Sequence, residues 1–274
     1  MIILAAAAAS MAVACNKDIA IQNEKTAVCG ERICFSVSGE DMDINTKVDA
    51  VTSLASFNVM AATGAAGAET QTWLTTATKS GDKYVTNKYW PYTDPSYHFY
   101  ASNASVSMES GKPVVTCNGS LDVVCASKLD PTFNSASNTL LFKHPMARIG
   151  TVTAESSKGY TVSSVSVTMQ NMKTAGKYDL RAESWSNETI QASYPVPLGA
   201  NDSYIVPGTY STSVTFTLTK GDYTGTFTRT GSVTLVKGKV NNIAISLNSD
   251  PAVPVNFTVT VEDWDSTPVS LSLS

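Results

Sequence analysis

Charge is scarce in this chain: Asp, Glu, Lys and Arg are 15% of its 274 residues, against roughly 25% in an average soluble domain. No run of Lys or Arg occurs, and the net charge is −4. A nucleic-acid partner needs a basic face to neutralise phosphates, so that class is set aside. Histidine is nearly missing, with only His98 in an aromatic stretch and His144 ahead of Pro145. A triad or a zinc site needs a histidine beside a nucleophile or other ligands; both read as structural. The Gly-x-Ser-x-Gly elbow, the phosphate-binding loop, His-Glu-x-x-His and the dinucleotide fingerprint are all absent. Asp41, Asp43 and Asn45 begin like a calcium loop, but its Gly and closing Glu do not follow. Glu262, Asp263 and Asp265 surround Trp264 and read as solvated strand ends rather than a glycosidase pair. The expectation is a non-enzyme with no cofactor and no metal.

Amphipathic helical periodicity is lacking too. What the chain has instead, from Ile33 onward, is alternation. Ile33, Phe35 and Val37 alternate with Cys34, Ser36 and Ser38, and the same pattern recurs at 161–169, 214–218, 232–236 and 255–261. Apolar residues spaced by two, with Thr, Ser or Asn between them, build strands with one buried and one wet face. Turn signals separate the runs: Asn118-Gly119, Val206-Pro207-Gly208, Lys220-Gly221-Asp222 and Lys237-Gly238. The stretch 210–247 reads as a series of short strands joined by tight turns. Many strands at this spacing predict an all-β fold of sandwich or barrel type. A break near 153–160 divides it into an N-terminal sandwich at 33–155 and a C-terminal one at 156–264. Trp90, Tyr92 and Tyr97 are assigned to the core and rim of the first, Trp185 and Trp264 to the second. A surface glycan-binding lipoprotein is the alternative, in which Trp90, Tyr92 and Tyr97 would stack on sugars.

Residues 1–14 are apolar and small and end in Ala12-Val13-Ala14-Cys15. The segment is shorter than the roughly 20 residues of a membrane-crossing helix but suits the apolar part of a signal peptide. No positive residue stands ahead of it. Cys15 resembles the acylated cysteine of a bacterial lipoprotein, which would tether residues 15–32 and all that follows to a membrane surface. Four cysteines then remain: Cys29, Cys34, Cys117 and Cys125. A two-residue turn at Asn118-Gly119 would set Cys117 opposite Ser120 and Cys125 opposite Lys112, too far apart to bridge. Buried free thiols are expected for that pair.

The order of several pieces resembles a known family. Ile33-Cys-Phe-Ser-Val37 is followed by Lys88-Tyr-Trp-Pro91 and Tyr97-His-Phe-Tyr-Ala101. Then come Phe142-x-His144-x-Met146-Ala-Arg-Ile149, Gly176-Lys-Tyr-Asp179, Leu235-Val-Lys-Gly-Lys239 and a last strand ending in Glu262-Asp-Trp264. Together they resemble the fimbrillin-like proteins, subunits of type V pili in Bacteroidetes-type bacteria. The resemblance implies two tandem transthyretin-like Greek-key β-sandwich domains and an exported lipoprotein precursor at the outer membrane. It implies an Arg-specific protease that removes an N-terminal segment including the first strand, and Arg32, directly before Ile33–Val37, matches the expected cleavage position, with Ile33 on its far side. A strand from a neighbouring subunit would fill the groove, and the tail at 265–274, with Val269, Leu271 and Leu273 alternating with Ser, has the pattern of such a donor. Other fimbrial subunits, in a homo- or hetero-polymer, are the implied partners, with host surface ligands beyond them. A Cys29–Cys34 disulfide would straddle Arg32 and tie the cut ends together, so an assembling subunit is expected to leave it unformed.

Overall fold

The structure, a computed structural model, describes residues 31–39, 54–133, 138–156, 160–247 and 256–263. Among these residues there are strands and turns and no helix. Seventeen strands, numbered in chain order, form three sheets. The first sheet holds β1 (Arg32–Gly39), β2 (Ser56–Thr63), β3 (Thr70–Ser80), β4 (Lys83–Tyr89), β5 (His98–Ser102), β8 (Cys125–Lys128) and β9 (Asn138–Phe142). Their order is β8-β5-β2-β3-β4-β1-β9. This sheet curls until its ends meet, where Cys125 and Lys143 exchange backbone hydrogen bonds of 2.9 and 2.8 Å. Its inner face carries Ile33, Phe35, Phe57, Tyr84, Phe99 and Phe142, and Trp90, Tyr97 and Phe133 from the connections close over them. The first half is thus a sheet rolled around its own aromatic core, not a plain pair of facing sheets. Large rings on alternate positions fill such an interior.

The opposite face of that sheet, through Met60, Ala62 and Tyr100, packs on β6 (Val106–Glu109), β7 (Lys112–Cys117) and Tyr178. Tyr178 lies on β11 (Thr161–Asp179), a 19-residue strand. Near its start β11 pairs with β14 (Gly208–Lys220), from Thr161↔Thr219 to Met169↔Thr212. At its end it pairs with β7, from Gly176↔Cys117 to Asp179↔Val114. β12 (Ser184–Val196) runs along the other side of β11, and β15 (Tyr223–Leu235) completes a sheet ordered β15-β14-β11-β7-β6. The third sheet is β13 (Gly199–Ile205), β10 (Ala147–Ser156), β16 (Lys239–Leu247) and β17 (Asn256–Asp263), in the order β13-β10-β16-β17. It shares one buried core with β14, β15 and the first part of β11, around Ile149, Met169, Phe216, Val233 and Ile245. That half is two sheets face to face.

Several local expectations change. The stretch 210–247 is not a series of short strands: β14 and β15 are 13 residues each, joined at Gly221-Asp222 with Gly221 at φ 59°, as a II′ hairpin requires. Asn118-Gly119 does not make a hairpin, because β8 pairs with β5 and not with β7. The glycine is needed there for another reason: a Cβ at Gly119 would lie 2.7 Å from the Thr174 carbonyl oxygen of β11. Lys237-Gly238 carries the chain from one sheet to another. Trp185 packs on Tyr178, 5.1 Å between ring centres, in the cluster of the first half rather than the core of the second. Alternation in a sequence marks which face of a strand is buried, but not against which partner.

Candidate functional site: the slot that holds β1

β1 has a neighbour on each side. It runs antiparallel to β4 and parallel to β9, so it is an interior strand of its sheet although it is the first among the described residues. Ile33 and Phe35 are both fully buried, while Val37 packs against the same core from a half-buried position. The Phe35 ring meets Phe99 edge-on at 5.0 Å and Phe57 at 6.3 Å. Each of the two buried side chains contributes about 1.5–3 kcal/mol of transfer free energy. The ladder to β4 shifts register between Arg32 and Cys34. Thr86 turns inward at that point and donates its hydroxyl to the Ile33 carbonyl at 2.9 Å. A buried Thr on β4 thus supplies a hydrogen bond at the irregularity.

The two residues expected at the cut, Arg32 and Ile33, stand at the mouth of this slot. Arg32 is exposed; its Nε donates to the Tyr89 hydroxyl at 3.1 Å and its guanidinium lies 5.8 Å from the Tyr89 ring centre. Ile33 points into the core. Cys34, half-buried, donates its thiol to the Arg32 carbonyl at 3.6 Å, and burial pushes its pKa up. Cys15, Cys29 and the expected donor residues Val269, Leu271 and Leu273 lie outside the described residues, as do Asp41, Asp43, Asn45 and Trp264.

A second Arg–Ile pair, Arg148-Ile149, opens β10. Ile149 is as buried as Ile33. Arg148, however, is ion-paired to Asp202 with 19% of its side chain exposed, and its carbonyl accepts from the Asn241 amide at 3.1 Å. Of the two arginines, Arg32 is exposed and Arg148 is not.

Among the described residues no group of three or more His, Cys, Asp or Glu could hold a metal ion. Each histidine instead has a carboxylate partner: Nδ1 of His144 lies 2.8 Å from Asp122, and Nδ1 of His98 lies 2.6 Å from Glu69. Glu69 anchors a cluster that the sequence did not announce. Its fully buried carboxylate takes the Tyr100 hydroxyl at 2.7 Å and the Arg181 guanidinium on one oxygen. Tyr100 lies 31 residues away and Arg181 lies 112 away, and no spacing rule connects them. The cluster braces the turn between β11 and β12 against β5. Cys117 and Cys125 are free and buried, and burial pushes the Cys117 thiol up to about 12. Trp90 and Tyr97 are buried and stacked on each other at 6.4 Å, so neither offers a face to a sugar. Tyr92 alone of that trio is exposed.

Comparison with known proteins agrees with this architecture. No curated protein sequence matches the chain. A protein assigned to cell adhesion from Parabacteroides distasonis superposes with a TM-score of 0.54 at 13% identity, covering 86% of this chain and 97% of that one. Another such protein from Bacteroides ovatus superposes with a TM-score of 0.51 at 13% identity, covering 88% of this chain and all of the other. At that identity the likeness speaks for the fold. The sequence profile of the fimbrillin-like family matches residues 35–264, from the middle of β1 to just beyond β17, and the chain therefore belongs to the fimbrillin-like family.

Proposed function

We propose that this protein is a structural and adhesive subunit of a cell-surface fimbria, assembled by exchange of its first strand. The supporting observation is the position of β1: an interior strand at the chain's N-terminal side that opens on an exposed arginine. Removing it would leave two rows of unpaired backbone groups, on β4 and β9, beside the cavity vacated by Ile33 and Phe35. Only another alternating strand satisfies both at once. The tail spacing Val269-x-Leu271-x-Leu273 repeats the spacing Ile33-x-Phe35-x-Val37. In this reading residues 1–14 are a leader and Cys15 is acylated at the outer membrane. Cleavage after Arg32 releases residues 15–32 and leaves β1 with a free end at Ile33, from which a donated strand displaces it. The two halves are variants of tandem transthyretin-like units bound together by the β11–β12 hairpin, and the partners are further fimbrial subunits and host surface ligands. The subunit performs no catalysis and needs no cofactor. The test is mass spectrometry of the mature protein from cells, with gels run in SDS without boiling. An N-terminus at Ile33 with resistant ladders is expected; an intact acylated Cys15 without ladders sinks the proposal and leaves a monomeric lipoprotein.

A further inference from the structure

The outer face of the β14–β15 hairpin is built from hydroxyl side chains alone. Six directly opposed pairs run along it, from Thr209–Thr234 at one end to Thr219–Thr224 at the other, and every member is Ser or Thr. β11 continues the array, with Ser164 beside Thr217 and Ser166 beside Thr215. All of these side chains are exposed or half-exposed, while the alternate residues Val214, Phe216 and Val233 fill the core behind them. The hydroxyls pair across the strands: Thr209 with Thr234 at 2.9 Å, Thr215 with Thr228 at 3.0 Å, Thr217 with Thr226 at 3.0 Å and Ser164 with Thr217 at 3.0 Å. Among the described residues this face carries no charge and no large apolar side chain.

We propose that this plate is a lateral contact surface for a second copy of the same chain. Identical copies with a net charge of −4 repel one another over most approaches. A two-fold contact sets the residues at its axis against their own copies, so a charge there would meet its like. This face has none. Rows of Thr methyl groups on the two copies can also lie against each other. Strands about 4.8 Å apart and rows about 6.8 Å apart give the plate an area of about 500 Å². A stable dimer uses about 800 Å² per partner, so the contact is weak between single subunits. Strung along a fibre, the same contacts add by avidity and hold neighbouring fibres side by side.

The experiment uses the full, unprocessed chain, whose β1 is in place, so strand exchange plays no part and the two proposals fail separately. Sedimentation equilibrium should show a monomer at micromolar concentration and a reversible dimer approaching millimolar. Replacing the central pair with like charges, Thr215→Glu with Thr228→Glu or Thr215→Lys with Thr228→Lys, should weaken self-association by more than about tenfold. An equal mixture of the acidic and basic variants should restore it, a result that damage to the fold cannot imitate. If these doubles fail to fold, the single variants Thr230→Glu and Thr230→Lys on the edge strand give the same readout. A chain that stays monomeric throughout, charged variants that associate like the parent, or retention on a neutral polysaccharide in place of self-association would overturn the inference.

Discussion

β1 and β10 hold corresponding places in the two halves. Each lies between one antiparallel and one parallel neighbour, β4 and β9 for β1, β13 and β16 for β10. Each carries an Arg–Ile pair near its start with the isoleucine fully buried. They differ in how they are held. β10 continues from β9 through 143–146, its arginine is tied to Asp202, and its backbone is tied to Asn241. β1 presents its arginine to solvent against the edge of Tyr89. The same local sequence and pairing thus occur once with the arginine ion-paired and once with it exposed. What separates them is the anchoring of one guanidinium and of the backbone beside it.

The sharpest way to break that comparison is proteolysis. An Arg-specific protease acting on the native chain is expected to cut after Arg32 and leave Arg148–Ile149 whole, as read by intact mass. Arg32→Gln should abolish the cut and Arg148→Gln should leave it unchanged. Equal cutting at both bonds would show that the ion pair with Asp202 protects nothing. Next in size is a pair of core truncations. Phe35→Ala should cost about 3–5 kcal/mol and Ile149→Ala about 2–5 kcal/mol in denaturant unfolding of the unprocessed chain. Once β1 has been replaced by a donated strand, the first penalty should vanish while the second persists; a penalty surviving in both would mean β1 never leaves.

A smaller effect is expected at the brace of the first half. Glu69→Gln removes the carboxylate that holds Arg181, His98 and Tyr100 and should lower stability by about 1.5–3 kcal/mol, measured by thermal or denaturant unfolding. No loss would mean that the β11–β12 turn is held by packing alone. The smallest concerns reactivity and leaves stability untouched. In the native chain an alkylating reagent should modify Cys34 ahead of Cys117 and Cys125, because those two are buried and burial holds both thiols protonated at neutral pH. Peptide mapping reads the order, and early modification of Cys117 would show that the seam between β7 and β11 opens readily.

How much of this was legible beforehand varied by element. The alternation at 161–169, 214–218 and 232–236 announced β11, β14 and β15 as strands with one buried face, and the structure buries the residues so marked. The same pattern hid their lengths, since polar Thr continues a strand as readily as it ends one. Asn118-Gly119 looked like a hairpin because turn chemistry is local, yet the chain after it joins β5. Trp185 was assigned to the wrong core because nothing in its own segment records that β11 and β12 serve both halves. The strand from Ile33 was legible as alternation, and its flanks, β4 and β9, were not. Glu69 with Arg181 had no signal at all.

By itself the amino-acid order determined that this chain is all-β and poor in charge. Those properties follow from which side chains alternate and which are missing, and they are local or additive. Only the tertiary structure decided which strands became neighbours, that the first sheet closes on its own aromatic core, and that Arg32 is exposed while Arg148 is ion-paired. Those are outcomes of long-range packing, in which every strand of similar pattern competes for the same edges and the whole set of contacts selects the winner.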